Sequence, residues 1–219
     1  MRLLLMTALL LVGCGPAMRS GPLNPGRASA SPSMECLPDP DVPDAELSRT
    51  MRFGLQLAEQ SFLIAAPPAP DDRSAANLEV WSTDILGPWL QRKTHTIEAA
   101  RRELDTAAEQ THRQRIIGGA IVGLMYEDLA RVLRAVPPPA ELEDEPEIQE
   151  MFRDTMRGQA RPFLEHARRA YSACAQNAVR PDGMRHWSRF CRERGDQLPD
   201  APVQAGPASG ETTVEVLVD

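Results

Sequence analysis

The sequence predicts an all-α fold built from antiparallel helical hairpins. Ala, Leu, Arg, Glu and Gln dominate the middle of the chain, and Val and Ile rarely alternate with polar residues, so helix formers outweigh strand formers. Apolar residues recur at three- and four-residue steps, as in Leu47, Met51, Leu55, Ala58, Phe62 and Ala65. Proline clusters at Pro67-Pro68-Ala69-Pro70 and Pro137-Pro138-Pro139 cut this pattern into helix-length pieces. Residues 44–198, about 155 in all, are enough for one well-buried core.

The chain opens with Met1-Arg2, an apolar run from Leu3 to Leu10, and then Leu11-Val12-Gly13-Cys14. An apolar run of about ten residues suits a signal peptide and falls short of the about 20 needed to cross a bilayer. An ordinary secretory signal, or a retained N-terminal helix, is the plainer alternative. Leu11-Val12-Gly13-Cys14 resembles the lipobox of bacterial lipoproteins, whose cysteine is diacylated, freed by cleavage before it, and left as the acylated first residue. The resemblance implies a signal peptide over residues 1–13, a lipidated Cys14 (palmitate being a typical chain), and a protein held in the bacterial cell envelope. Several acyl chains anchor far better than one. Gly15 follows the cysteine where lipoproteins kept at the inner membrane often carry Asp, so the resemblance points to the outer membrane and leaves the leaflet open.

The chain has 24 basic and 31 acidic side chains, a formal net charge of −7. Loss of Arg2 with the leader would make it one unit more negative. A chain this acidic has no general electrostatic reason to bind nucleic acid or an anionic lipid surface. Of the four cysteines, Cys36, Cys174 and Cys191 remain after Cys14. In an oxidising compartment they suggest one disulfide and one leftover thiol, with three possible pairings.

Residues 14–43 read as the lipidated cysteine and a Gly-, Pro- and Ser-rich tether that cannot bury enough surface to order itself. Asp44 is the expected N-cap of a helix over about 45–66, with Glu46 in its first turn. The next segment begins near Ser74 and carries Trp81, Ile85, Leu86 and Trp89, with Gly87-Pro88 expected to bend or break it. Leu90, Ile97, Ala100, Leu104 and Ala107 continue a stripe to about Gln110, in which Lys93 is the one polar intrusion. Thr111-x-x-Gln114 has the form of a capping box and predicts a new helix. Without a Gly or Pro there, a continuous helix is the alternative.

Ile116 to Val136 is the most apolar stretch, marked by Ile117, Ile121, Leu124, Leu129, Val132 and Val136 and interrupted by Gly118, Gly119 and Gly123. Gly119-x-x-x-Gly123 is a spacing that lets membrane helices touch. Here the apolar run is short and bounded by Arg115 and Tyr126-Glu127-Asp128, which predicts a core helix with close neighbours. After Pro137–Pro139, Asp144 is the expected N-cap of a helix whose inner face is Ile148, Met151, Phe152, Thr155 and Met156. Gly158 and Pro162 are expected to separate it from a helix near 160–178. Arg180-Pro181-Asp182-Gly183 reads as a turn before a last helix to about Arg194. Residues 199–219 read as a disordered tail, in which Thr212 to Val218 has the strand propensity to add to a partner's sheet.

Ala167-x3-Tyr171-x2-Cys174 and Trp187-x2-Phe190-Cys191 resemble the second helix of a tetratricopeptide repeat and the start of the next one. In that family small residues mark where helices come close and aromatics fill the gaps. The resemblance covers only about 30 residues, and no clean repeat of about 34 is visible. It implies that Cys174 and Cys191 meet across the Arg180–Gly183 turn as the disulfide pair, leaving Cys36 over. A tetratricopeptide-like domain would bind a protein partner in a groove between hairpins, with Trp81 and Trp89 as candidate binding residues. An irregular helical bundle is the alternative form.

Catalytic patterns are sparse. The histidines are His95, His112, His166 and His186. A di-iron bundle would need Glu-x-x-His on two helices plus further glutamates, and the sequence contains neither a zincin His-Glu-x-x-His motif nor a Cys-x-x-Cys pair. Glu165-His166 are adjacent and point to different faces, and His95-x-x-Glu98 runs in reverse order. Gly-x-Ser-x-Gly and Ser-x-x-Lys are missing too. Glu127 or Asp128 is the best remaining acid. Arg101-Arg102, Arg113 with Arg115, and Arg168-Arg169 read as salt-bridged solvated faces. The expectation is a lipid-anchored, non-catalytic protein-binding or assembly module with an envelope protein partner and no cofactor, metal or nucleic acid. An envelope enzyme using an acidic residue or a histidine, and a passive structural lipoprotein, are the alternatives.

Overall fold

Ser48 starts the first helix. Its backbone is extended and its Oγ accepts a hydrogen bond from Met51 N at 3.1 Å, satisfying an orphan donor of the first turn. The computed structural model describes residues 32–38, 46–179 and 184–199. They form an all-α protein, with no strand among the described residues. Helix α1 is Arg49–Leu63, so the cap falls at Ser48; Asp44 lies outside the described residues. Met51, Gly54, Ala58 and Ser61 form its buried face.

Ala75–Trp81 (α2) passes through a π-helical turn, Ser82–Leu86, directly into α3, Gly87–Gln110. Gly87-Pro88 therefore widens the helix without breaking it. Proline at 88 has no N–H and crowds the preceding turn, and the Gly87 N–H reaches Ser82 O instead. A Cβ at Gly87 would lie 3.2 Å from that same oxygen.

At Thr111 the chain does break. Its backbone is extended, and its hydroxyl accepts from Gln114 N at 3.2 Å, opening α4, His112–Arg134. The reciprocal arm of a capping box is not made. Gln114 Oε1 turns to α1 and accepts from Ser48 N at 3.1 Å and Ser48 Oγ at 2.5 Å, so one side chain ties two helix starts together.

Helix α5 runs unbroken over Pro146–Asn177 with Glu145, not Asp144, at its N-cap. Pro162 lies inside it on the exposed side. The carbonyl it leaves without a donor belongs to Gly158, four residues back, which is also exposed, so water can satisfy that oxygen. Helix α6 is Arg185–Gln197, and the Arg180–Gly183 turn lies outside the described residues.

Neighbouring helices are antiparallel. Gly54 meets Leu104 and Ser61 meets Lys93; Lys93 meets Asp128 and Leu104 meets Gly118; Gly119 meets Cys174 and Tyr126 meets His166. In each pair the numbers rise on one helix as they fall on the next. Helix α4 is central, packed between α3 and α5 and also touching α1 and α6, and is buried around most of its circumference. The small-residue spacing is realised on α5. A Cβ at Gly123 would sit 2.5 Å from the Tyr171 ring, and one at Gly119 would lie 3.3 Å from Cys174 Cβ. No described helix is long and apolar enough to cross a membrane.

Because Arg134 at the end of α4 lies beside Arg157, the segment 146–156 overhangs α4 by roughly 16 Å at about 1.5 Å per residue. The first buried residue of α5 is Ala160. The expected inner face is consequently outside the core: Ile148 is 43% and Met151 68% exposed, Thr155 is exposed, and Phe152 and Met156 are half-buried. Beyond this overhang the two proline linkers are tied together, with Ala140 N donating to Arg73 O at 2.8 Å and Arg73 paired to Glu143 at 2.6 Å. Part of the expected tether also packs down: Met34–Cys36 form a 3-10 turn, and Met34 and Leu37 lie against the core.

Candidate functional site

Tyr126, Glu127 and Asp128 follow one another on α4, so each points about 100° away from the last. On a central helix those three directions reach three different neighbours. Asp128 faces α3 and α1. Its Oδ2 takes the Lys93 ammonium at 2.9 Å, and its Oδ1 takes Arg131 at 2.8 Å. Lys93 is 1% exposed, donates also to the Ser61 carbonyl, and stands 5.6 Å from the centre of the Phe62 ring. The polar intrusion in the α3 stripe is thus half of a buried ion pair, held where hydrogen bonds satisfy both charges.

Glu127 faces α5 and α6. Tyr171 donates to its Oε2 at 2.6 Å and Arg194 to its Oε1 at 2.8 Å. Burial raises the Glu127 carboxyl above its ordinary value, against the opposing pull of those two donors. The Tyr171 hydroxyl is also pushed up, first by burial and then by the charge of Glu127.

Tyr126 faces α3 and α5. Its hydroxyl donates to Glu98 and accepts from Arg101 at 3.4 Å, while its ring stacks on His166 with centroids 4.8 Å apart. Burial and the Glu98 bond raise the phenol to about 12. His166 is held below its ordinary value, first by burial and then by the nearby Arg169 guanidinium.

The acids singled out from the sequence, Glu127 and Asp128, therefore sit in separate pairings on different faces of α4. The histidines are not brought together either. His95 is exposed on α3, His112 bonds Asn177 O at 2.8 Å, His166 stacks on Tyr126, and His186 lies beside Trp187. Among the described residues no group of three His, Cys, Asp or Glu is placed to hold a metal ion.

Trp81 and Trp89 are 6% and 3% exposed, so they do not line an open groove as expected. Their indole N–H groups donate to Pro68 O at 2.9 Å and Ile64 O at 3.4 Å, fastening the proline linker onto the core. Cys174 and Cys191 form a disulfide between α5 and α6 with Cα atoms 6.1 Å apart. Of the residues carrying the repeat-like resemblance, Ala167, Tyr171, Cys174, Trp187 and Cys191 are buried there and Phe190 is half-buried. Cys36 is disulfide-bonded, not the leftover thiol of the sequence arithmetic. Cys14 lies outside the described residues.

The sequence reading missed a second feature. A cleft of about 440 Å³ between the end of α4 and the overhanging part of α5 is lined by Arg131, Arg134, Arg153 and Arg157, with Leu164 and Glu127 deeper in. Its signal was present as Arg131-x2-Arg134 and Arg153-x3-Arg157, two same-face spacings on successive helices. No protein family, curated protein or solved structure matches this chain.

Proposed function

We propose that this chain is a lipid-anchored bacterial envelope protein whose helical domain acts as a non-catalytic binding or assembly module for an envelope protein. The leader ending in Leu11-Val12-Gly13-Cys14 carries the reading. The segment before the helices supports it, because Met34 and Leu37, about twenty residues after Cys14, pack on the core and would keep the domain close to a lipid there. A projecting helix with Ile148 and Met151 unburied suits a protein that meets another protein. Gly15 favours the outer membrane.

Two measurements test this. Mass spectrometry of the mature N-terminus in its bacterial host should find cleavage before Cys14 and an acylated cysteine. An intact leader, or a Cys14 carrying no lipid (a free thiol, or a disulfide with Cys36), ends the lipoprotein reading. In-cell cross-linking should recover one recurrent envelope protein that is lost when residues 44–198 are deleted and the anchor kept. Recovery of no partner above background removes the assembly role.

One observation favours a second reading, an envelope enzyme. Glu127 is an acid raised by burial on the wall of a cleft, the kind of perturbation found at functional sites. That reading requires an activity that disappears in Glu127→Gln while the fold is retained.

A further inference from the structure

We propose that the cleft between the last turn of α4 and the overhanging part of α5 binds a phosphate-type oxyanion, free or carried on a small molecule or lipid headgroup, with Arg134 and Arg157 as its principal ligands. This inference stands independently of the lipoprotein reading.

The four arginines that line the cleft come from two helices, in a chain whose net charge is −7. Composition therefore does not explain their gathering. The negative end of the α4 dipole accounts for Arg131 and Arg134, which sit in its last turn, but not for Arg153 and Arg157 on α5. Arg131 is engaged by Asp128 at 2.8 Å. Among the described residues Arg153 and Arg157 pair with groups of their own helix: Arg153 with Glu150 at 3.4 Å and with Gln149 Oε1 at 2.8 Å, and Arg157 with Glu150 at 2.7 Å and with Asp154. The charged side chains among them are about half exposed, with relative accessibilities of 46% to 64%. Such exposed pairs contribute little and can be given up to a better ligand.

Arg134 differs from the rest. Among the described residues it has no carboxylate partner and no side-chain hydrogen bond, and its nearest ionic influence is Arg157, a like charge. Arg134 is exposed, and some desolvation together with that like-charged neighbour holds its guanidinium below the ordinary value. An oxyanion between Arg134 and Arg157 would remove the repulsion and accept forked, charge-assisted hydrogen bonds from both planes. Deeper in, Glu127 is already occupied by Tyr171 and Arg194, and Leu164 and Pro199 offer apolar contact to whatever carries the anion. The cleft is larger than bare phosphate needs and can admit a phosphate monoester.

The test uses the full chain with Cys14→Ser, which removes any acyl anchor. Isothermal titration with inorganic phosphate at low salt should show binding that weakens by about tenfold or more in Arg134→Gln/Arg157→Gln, as loss of charged hydrogen bonds predicts. Arg192→Gln on α6, outside this cleft, should bind as the parent does. If the double variant does not keep the parent's circular dichroism, Arg134→Gln alone replaces it. Co-sedimentation with phosphatidylcholine vesicles, with and without phosphatidate, distinguishes the sources. Phosphate binding without phosphatidate-dependent sedimentation assigns a free or small-molecule phosphate. Sedimentation that needs both phosphatidate and the cleft arginines assigns a lipid headgroup. Absence of both, or binding unchanged in the cleft variant, overturns the proposal.

Discussion

The two halves of α5 belong to one helix and live in different surroundings. From Ala160 onward its inward residues, Leu164, Ala167, Tyr171 and Cys174, are buried against α4 and α6. Over 146–159 nothing is buried, although apolar residues recur there at helical spacing. The distinction comes from the neighbour: α4 ends at Arg134, and past that point α5 has no central helix to lie on. Helical periodicity states which residues share a face. Whether that face is covered depends on the length of another element.

The largest expected effect breaks the covered half at its polar keys. Lys93→Met leaves Asp128 in the core without its buried cation, which should cost about 3–5 kcal/mol. Denaturant unfolding would measure it, and Lys93→Met/Asp128→Leu should recover much of the loss. A single-variant loss below about 1 kcal/mol would mean that the pair is solvated and worth no more than a surface ion pair.

Next come two glycines that should respond in opposite directions. Gly123→Ala places a methyl 2.5 Å from the Tyr171 ring, and a rigid aromatic packed between helices cannot move aside cheaply. The expected loss is about 1–3 kcal/mol even after the gain in helix propensity. Gly158→Ala on the overhanging half meets nothing within 4 Å and should stabilise by about 0.5–1 kcal/mol. If both substitutions shift Tm the same way, the contrast between the halves is wrong.

These same residues show how much was legible in the sequence. The break at Thr111 was, because a hydroxyl with Gln three positions on has a local chemical use. The central helix with close neighbours was, because Gly119 and Gly123 mark contact wherever it falls, but which neighbour they touch was not. Lys93 and Asp128 each stood out, but pairing them requires the register of α3 on α4, which no local pattern contains. Pro162 does not mark a boundary, since on the solvent side the carbonyl it leaves without a donor can reach water. The burial of Trp81 and Trp89 was not legible, because an aromatic that pins a linker looks the same in sequence as one that awaits a ligand.

A smaller effect separates the keys by pH. The Glu127 carboxyl is raised by burial, so the fold favours its protonated form. Its stabilising contribution is therefore fully present below the unfolded carboxyl value and is lost as pH rises through the folded one. The stability of the parent minus that of Glu127→Gln should fall from about pH 4 upward. A difference that stays flat or grows would show that Tyr171 and Arg194 outweigh the burial.

The smallest effect is expected on the overhang itself. Met151→Ser removes an apolar side chain that is 68% exposed and should change stability by less than about 0.5 kcal/mol. Leu164→Ser, between three and four turns along the same helix and buried, should cost several times more, since it loses apolar burial and also places a hydroxyl in the core. The pair also separates folding from assembly. If the overhang meets an envelope protein, Met151→Ser should lower the yield of that partner in cross-linking while leaving Tm where it was. A fall in both would place Met151 in the fold after all, and a fall in neither would move the partner's surface elsewhere on the domain.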